Sequence, residues 1–158
     1  MSRMYSVVFS AVSVAAAQDL FELTPADDKP IAIHAIYLSN VGGTADAGDA
    51  AEEFLRADII RGFTTSGSGG TAPTAGALDP ADAAAGCTAE VNNTTVATTG
   101  TTVTLHSDGF NSRVGWVYVP TPECRPKASQ ANTTIVVRLT TAPADAILFS
   151  GTLYFEEL

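Results

Sequence analysis

Residues 31–39 read IAIHAIYLS, and this stretch decides the fold class of the chain. Successive side chains of a strand point to opposite faces, so the stretch has two faces to consider. One face carries Ile31, Ile33, Ala35 and Tyr37, and the other carries Ala32, His34, Ile36 and Leu38. Because both faces are largely apolar, the stretch predicts a central strand that is covered on both sides.

Short strands recur along the chain, with turn-rich segments between them and very little predicted helix. The further strands are predicted over residues 4–14, 18–23, 54–65, 87–91, 101–107, 113–119, 133–140 and 146–155. Asp108 and Gly109 form a tight-turn signal between two of these strands. No alternation of strand with helix is present, which disfavours an α/β fold. We therefore predict an all-β chain of about eight strands, arranged as a sandwich or jelly roll.

Length and composition predict a single domain over residues 1–158 and disfavour several functions. Charged residues make up only 16% of the chain and apolar residues 46%, which suggests a protein that packs against neighbours. The net charge of −9 disfavours direct binding to nucleic acid, which needs a basic surface. No segment has the roughly 18 consecutive apolar residues that cross a bilayer, so we expect no membrane partner.

The N-terminal segment has two interpretations. Arg3, an apolar stretch and the alanines at 15–17 resemble a secretory leader with a cleavage site. The competing interpretation is a strand, in which one face carries Tyr5, Val7, Phe9 and Ala11. Because the run is rich in β-branched and aromatic residues and is broken by serines, we favour the strand.

Two long loops interrupt the predicted strands, over about residues 40–53 and 66–86. The first is acidic and carries Asp46, Asp49, Glu52 and Glu53. It lacks the spacing of a calcium-binding loop, so we expect a solvated loop and no metal site. The second begins with SGSGG at residues 66–70, a composition typical of a flexible connector. A loop of this length is usually functional or lies over a partner.

Few side chains suggest catalysis or cofactor binding. Cys87 and Cys124 are the only cysteines and lack metal or redox spacing, so we expect free buried thiols, with one disulfide as the alternative. The string His106-Ser107-Asp108 does not form a triad by itself, because adjacent strand residues point to opposite faces. We therefore expect no enzyme activity and no cofactor. A hydrolase remains an alternative, and it requires His34 or His106 beside a carboxylate and a hydroxyl in a cleft.

Six apolar or aromatic residues are candidates for an interface between subunits. They are Met4, Tyr5, Trp116, Tyr118, Tyr154 and Phe155. Trp116 and Tyr118 share a face of one predicted strand, either as sheet core or as aromatic anchors at an interface. The C-terminal pair lies in an end that stays apolar, which suggests that this end is tied into a sheet or a neighbour. The N-terminal pair lies where a strand can be added to another chain by edge pairing.

Three segments resemble small proteins encoded among the head genes of tailed bacteriophages. They are VAAAQDLFELTPADDKP at residues 14–30, WVYVPTPE at 116–123 and SGTLYFEEL at 150–158. The resemblance implies a virion protein, above all a decoration (cement) protein on the outer surface of the capsid. In that group β-rich subunits, commonly trimers, clamp adjacent capsid subunits. The resemblance carries over no catalytic residue.

The sequence thus predicts a non-enzymatic virion structural protein, located on the capsid surface. Its expected partners are the major capsid protein and further copies of itself in a homotrimer, and not nucleic acid or a membrane. The alternative is a tail or fibre module that recognises a host glycan through exposed aromatic side chains near Trp116 or Tyr118. Burial of Trp116 in a sheet or a subunit seam would disfavour that alternative.

Overall fold

A computed structural model describes residues 2–42, 53–130 and 133–158 of the chain, and confirms the all-β prediction. The strands are β1 (Arg3–Val14), β2 (Gln18–Thr24), β3 (Ile31–Asn40), β4 (Phe54–Phe63), β5 (Gly76–Ala77), β6 (Thr88–Asn93), β7 (Val103–Asn111), β8 (Trp116–Tyr118), β9 (Lys127–Ala128), β10 (Thr134–Leu139) and β11 (Ile147–Glu157). One short 3-10 turn, Pro122–Cys124, precedes β9.

The strands form two antiparallel sheets, and eight of them follow a jelly-roll order. The first sheet has the order β5-β1-β11-β3-β8, with β9 also paired to β3, and the second has the order β6-β2-β10-β4-β7. Within these, β1-β11-β3-β8 lies opposite β2-β10-β4-β7, so the first strand pairs with the last and the second with the last but one. The predicted sandwich is confirmed, and β5, β6 and β9 are additions to its eight-stranded frame.

The core lies between the two sheets, and β11 shows why. Its residues are alternately buried and half-buried along the whole strand, and the buried apolar side chains are Ile147, Phe149, Leu153 and Phe155. Gly151 takes the same inward face, where an added Cβ would lie 2.6 Å from a ring carbon of Phe9 and 2.9 Å from one of Phe21. The glycine therefore leaves room for the Phe9 and Phe21 rings, which pack across the sandwich with centroids 5.2 Å apart.

A β-bulge explains the apolar character of both faces of β3. Ile33 pairs with Phe155 and Ala35 with Tyr154, so one residue of β3 between them has no partner on β11. Before the bulge Ile31 and Ile33 face the core, and after it the core residues are Ile36 and Leu38. The strand is internal to its sheet, as predicted. The predicted cover on both sides holds only in part, because Ala32 and Ala35 on the outer face are buried but Tyr37 on the same face is 43% exposed.

β1 confirms the strand interpretation of the N-terminal segment. It pairs with β11 and buries Tyr5, Val7 and Phe9. Ala11 was predicted on the same face but is exposed, because the register shifts between Phe9 and Val12 and Ala11 adopts a φ of 50°. This bulge reverses the alternation, so that the buried positions beyond it are even-numbered.

The predicted turn at Asp108 and Gly109 is wrong, because both residues lie within β7. Gly109 pairs with Arg56 of β4, and the strand continues to Phe110, which is buried in the core. The turn comes later and ends at Gly115, whose φ is 83° and whose N–H donates to the carbonyl of Asn111. Burial of Phe110 favours continuation of the strand over the local turn signal, and the predicted strand over 113–119 is shortened accordingly to Trp116–Tyr118.

Residues 64–71 form an ordered strap instead of the predicted flexible connector. The N–H groups of Ser68 and Thr95 each donate to the other's carbonyl, at 2.9 and 3.0 Å. An added Cβ at Gly70 would lie 2.0 Å from the carbonyl oxygen of Val91. The glycines that suggested flexibility therefore permit close approach of two backbones.

Part of the predicted acidic loop over 40–53 lies outside the described residues, and the expectation of a solvated loop at Asp46, Asp49 and Glu52 lies there with it. Among residues 2–42, 53–130 and 133–158 there is no group of three or more potential metal ligands. No helix in these ranges has the length and apolar character that crossing a membrane requires.

Candidate interaction surface

The outer face of the first sheet carries an apolar row that crosses four strands. Val8 of β1 pairs with Thr152 of β11, Thr152 with Tyr37 of β3, and Tyr37 with Val117 of β8. Val8 is 50%, Tyr37 43% and Val117 64% exposed. Single exposed apolar residues are ordinary, but neighbours aligned across a sheet form a continuous surface.

The next row of the same face is also uncharged. Ser6 of β1 pairs with Tyr154 of β11, and Tyr154 pairs with Ala35 of β3. The rings of Tyr37 and Tyr154 meet edge to face with centroids 6.2 Å apart, which joins the two rows. We define the contact face as Ser6, Val8, Ala35, Tyr37, Val117, Thr152 and Tyr154. None of these seven residues is charged, although the chain has 17 acidic residues.

The outer face of the second sheet is covered by the chain itself. Phe63 and Val136 pack with Ala97 in a small apolar cluster outside that sheet. The segment that carries Ala97 is hydrogen-bonded to the strap, through pairs such as Thr65 and Thr98. The segment therefore covers the part of the second sheet around Phe63 and Val136, whereas Phe54 of the same sheet is 78% exposed. The contact face has no such cover among the described residues.

One ion pair of the second sheet, Asp19 with Arg138, lies beneath this cover. Asp19 is fully buried, and its carboxylate accepts from Nε and Nη2 of Arg138 at 2.6 and 3.1 Å and from the Ala97 N–H at 2.7 Å. Nη2 of Arg138 also donates to the Ala97 carbonyl, and the guanidinium lies 4.8 Å from the Phe63 ring centroid. A buried ion pair needs such additional hydrogen bonds to offset its desolvation.

A second polar cluster fixes the strap. Glu22 and Glu90 are paired across β2 and β6. The Ser66 hydroxyl donates to Glu22 at 2.5 Å and its oxygen also lies 3.1 Å from Glu90. The two N–H groups of the Asn93 amide donate to the same two carboxylates at 3.0 and 2.7 Å. Gly67 adds a backbone N–H to Glu22. The cluster is internally hydrogen-bonded and holds the strap against the sheet.

The predicted interface residues divide into buried and partly exposed groups. Tyr5 and Phe155 are fully buried and stack on each other with centroids 5.5 Å apart, and Trp116 is only 3% exposed. These three side chains form core contacts, so the interface interpretation does not hold for them in the folded chain. The half-buried residues are Met4, Tyr118 and Tyr154. Of these, Tyr154 belongs to the contact face.

Trp116 is held inside the sandwich by ring contacts and a hydrogen bond. It stacks on Phe110 at 6.4 Å, and its indole N–H donates to Asp108 at 3.1 Å. The ring centroid of Tyr118 lies 5.8 Å from that of Trp116 and 4.4 Å from that of His106. A glycan platform needs an exposed ring, so the burial of Trp116 disfavours the glycan interpretation at this residue.

Both histidines have a carboxylate neighbour, but neither has the partners of a nucleophilic triad in the described residues. Nε2 of His34 lies 2.7 Å from Glu156, and the Ser2 side chain bonds to that same carboxylate. These hydrogen bonds, from Ser2 first and then His34, lower the pKa of Glu156 below its usual value. Nε2 of His106 lies 3.7 Å from Asp108. In a triad the imidazole stands between acid and hydroxyl, whereas at His34 the acid stands in the middle.

The two cysteines are free, as predicted, but only one is buried. Cys87 is buried and its N–H donates to Glu157 at 2.8 Å, while Cys124 is exposed. Burial, and then the charge of Glu157, raise the pKa of Cys87 to about 12. Cys124 is therefore the thiol that solution reagents reach.

An uncharged cleft, which sequence reasoning missed, opens between the bulge of β1, the strap and β6. It has a volume of about 270 Å³ and is lined by Val12, Ser13, Gln18, Gly69, Gly70, Thr71, Asn92 and Thr94. The Gln18 amide donates to Asn92 Oδ1 at 3.0 Å, and Asn92 Nδ2 is buried without a hydrogen-bond partner in the described residues. Asn92 also has a positive φ of 56°, a left-handed conformation that asparagine adopts more readily than most other non-glycine residues. The Asn92 amide N–H group is therefore available in the cleft to donate a hydrogen bond to a neutral oxygen atom of a ligand.

A basic pocket lies on the other side of the sandwich and was also missed. Its volume is about 350 Å³, and we define it by Arg61, Leu105, Glu123, Cys124, Arg125 and Lys127. Arg61 comes from β4 and Leu105 from β7, whereas the other residues belong to the turn before β9 or to β9 itself. Topology brings these segments together, so no local sequence motif announces them.

Comparisons with known proteins add little to this geometry. No protein-family model matches the chain, and no curated protein matches it. Among solved structures it is weakly similar to VP2 of infectious bursal disease virus. VP2 in T=1 particles is 9% identical with a TM-score of 0.23, and VP2 in a subviral particle is 14% identical with a TM-score of 0.20.

The alignments cover 99% of this chain but only 40% and 42% of the two VP2 chains. The chain therefore spans about two fifths of the length of these capsid proteins. TM-scores of this size do not establish a common fold, and the proposals below rest on the contacts of this chain.

Proposed function

We propose that the chain is a non-enzymatic virion structural protein, and specifically a capsid decoration subunit that binds the outer surface of a phage head. The observation that carries the proposal is the contact face, an uncovered and uncharged surface on a protein of net charge −9. The phage assignment and the homotrimer come from the resemblance of segments 14–30, 116–123 and 150–158 to phage head proteins.

The physical argument starts from the difference between the two sheets. The second sheet has part of its outer face, around Phe63 and Val136, covered by the strap and the segment bonded to it. Asp19 and Arg138 are paired beneath that cover. The first sheet leaves aligned valine and tyrosine side chains in water, which association with another protein removes from water. Tyrosine is enriched at such interfaces because one end of its ring is apolar and the other can form hydrogen bonds.

The fold is compatible with this role but does not determine it. Jelly rolls serve as viral capsid domains and also as lectins, so topology alone leaves both candidate functions open. The contact face favours the structural role, because a flat apolar sheet face suits a protein surface better than a soluble sugar.

The test compares two valines that become glutamate. Val117→Glu places a charge in the contact face, and Val114→Glu is the matched control, because Val114 is 82% exposed in the turn before β8 and outside that face. Each variant is mixed with capsids assembled from the shell protein encoded in the same genome, and bound copies are counted by native mass measurement. Circular dichroism verifies that both variants fold.

We expect occupancy of hundreds of copies per capsid for the Val114→Glu variant and for the unmodified chain. Burying a charge without a partner is strongly unfavourable, so Val117→Glu should reduce the affinity at least tenfold. Equal occupancy of the two variants would overturn the role of the contact face. A handful of copies of the unmodified chain would indicate a tail-associated protein instead.

The second candidate function is recognition of a neutral glycan, placed at the cleft of Gln18 and Asn92 and not at Trp116. The specific observation is the buried, unpartnered amide of Asn92 in an uncharged cleft. A glycan array tests it, with Asn92→Ala as the cleft variant and Thr152→Ala as a control outside the cleft. A sugar that binds the unmodified chain and the control, but not Asn92→Ala, would support this candidate, and a blank array would remove it.

A further inference from the structure

We infer that the basic pocket is an anion site that receives a carboxylate side chain from an acidic segment of the partner protein. The inference rests on the proposed function, because it deepens the description of the partner. Arg61, Arg125 and Lys127 line a pocket of about 350 Å³ together with a single acid, Glu123. The lining has a net charge of +2 in a protein whose net charge is −9.

The cations of this pocket differ from three of the other arginines in having no ion-pair partner among the described residues. Arg3, Arg56 and Arg138 form ion pairs with aspartates of the chain. No ion pair within the described residues includes Arg61, Arg125 or Lys127. The positive charge of Arg125 is one of the smaller contributions that lower the pKa of Glu156. Three of the eight basic residues are thus gathered in one pocket and left available for an external charge.

Arg125 supplies the most specific observation. Its Nε atom is buried and has no hydrogen-bond partner in the described residues. A buried donor without an acceptor is costly, and an arginine fork bonds a carboxylate with two parallel hydrogen bonds. Nη1 of Arg61 is fixed by the Lys127 carbonyl at 2.7 Å, so this guanidinium is held at the pocket before any ligand arrives.

The pocket lies beside the contact face. Lys127 pairs with Ala32 of β3, and Ala32 pairs with Glu156 of β11, which is two residues beyond Tyr154 of the contact face. Interfaces commonly have an apolar centre and a polar rim, and the pocket has the position of such a rim. A protein that covers the contact face therefore brings its own side chains to the pocket.

The charges favour a single carboxylate over a polyanion. The net charge of −9 repels nucleic acid and other polyanions at long range, while one carboxylate lowers the charge of the lining from +2 to +1. Free inorganic phosphate shares the oxyanion chemistry, and the experiment separates it from a protein carboxylate.

Cys124 provides a local probe because it is a free, exposed thiol in the lining of the pocket, whereas Cys87 is buried. The isolated chain is alkylated with iodoacetate, an anion, and with neutral iodoacetamide, and mass spectrometry gives the rate at Cys124 for each. The ratio of the two rates reports the local potential. The test variant is Arg61→Ala with Arg125→Ala, and the control is Arg56→Ala, an arginine already paired with Asp58.

We expect the iodoacetate-to-iodoacetamide ratio to fall about fivefold in the double variant, from the loss of two charges near the thiol, and to stay unchanged in Arg56→Ala. Next, the peptide acetyl-Gly-Glu-Glu-Gly-amide, its Gln-Gln counterpart and inorganic phosphate are added at millimolar concentration. The Glu peptide should slow alkylation of Cys124 by iodoacetamide, and the Gln peptide should not.

Each other outcome overturns the inference. An unchanged ratio in the double variant removes the positive potential, and protection by phosphate without protection by the Glu peptide assigns the pocket to a free anion. Protection by neither shows that the pocket binds no oxyanion. These measurements need no capsid, so their failure is distinguishable from failure of the occupancy test with Val117→Glu.

Discussion

Gly151→Ala tests the packing between the two sheets with a single added methyl group. The new Cβ would lie 2.6 and 2.7 Å from ring carbons of Phe9 and 2.9 Å from one of Phe21. Favourable carbon contacts begin at about 3.5 Å, so the rings or the strand must move by close to 1 Å. Overpacking of this kind costs about 1–3 kcal/mol, partly offset by the roughly 0.5–1 kcal/mol that alanine gains over glycine in a strand.

The assay is urea denaturation, with thermal melting as a second measurement. We expect the free energy of unfolding to fall by about 1–2 kcal/mol, which corresponds to a fall in Tm of about 2–8 °C for a chain of this size. Gly109→Ala is the matched control, because it is also a strand glycine and its added Cβ would come no closer than 3.8 Å to another atom. Phe9→Leu in the Gly151→Ala background should recover part of the loss, since the two residues contact each other. Equal stability of Gly151→Ala and Gly109→Ala would refute the packing argument.

The remaining predictions concern charges. Asp19→Asn leaves the half-buried Arg138 without its anion, and urea denaturation should show the free energy of unfolding falling by about 3–5 kcal/mol; a fall below about 1 kcal/mol would contradict the stabilising role of the pair. Because the folded pKa of Cys87 is raised to about 12 and an unfolded thiol titrates near 8.5, its stabilising contribution is complete below about pH 8.5 and is lost as the pH rises through 12. Cys87→Ala should flatten this alkaline loss, and an unchanged pH profile would argue against it. Glu156 has a lowered pKa, so its contribution is present above the ordinary glutamate pKa and is lost as the pH falls through the folded pKa; NMR titration should show the pKa rising in His34→Ala, and no rise would contradict the contact.

The alternation of apolar and polar residues along each strand predicted much of the fold, because it depends only on residues that are neighbours in the sequence. β11 shows it best, since its apolar residues face the core without interruption from Ile147 to Phe155. The bulges in β1 and β3 escaped prediction because they depend on register with a partner strand. The two bulges place Ala11 and Tyr37 on the exposed side of their strands. The sequence around neither residue indicates the change of register.

The candidate surface was less accessible to sequence reasoning. Tyr5, Trp116 and Phe155 are large aromatic residues and were predicted as interface candidates, but the sandwich uses them as core. Tyr37 and Val117 form the contact face only after β3 and β8 pair, although they are far apart in the sequence. The uncharged residues Ser6, Val8, Tyr37, Thr152 and Tyr154 were the available signal, and their alignment becomes visible once the strands are placed side by side.

Hydroxyl-radical footprinting of the assembled particle tests the adhesive role of the contact face most directly, because it measures the solvent exposure of individual side chains. The oxidation rates of Tyr37 and Val117 in the isolated chain are compared with those on the capsid, and Val114 serves as the internal reference. Our account predicts that the rates of Tyr37 and Val117 fall at least severalfold on assembly while that of Val114 stays the same. Unchanged rates at Tyr37 and Val117 on fully occupied capsids would contradict it.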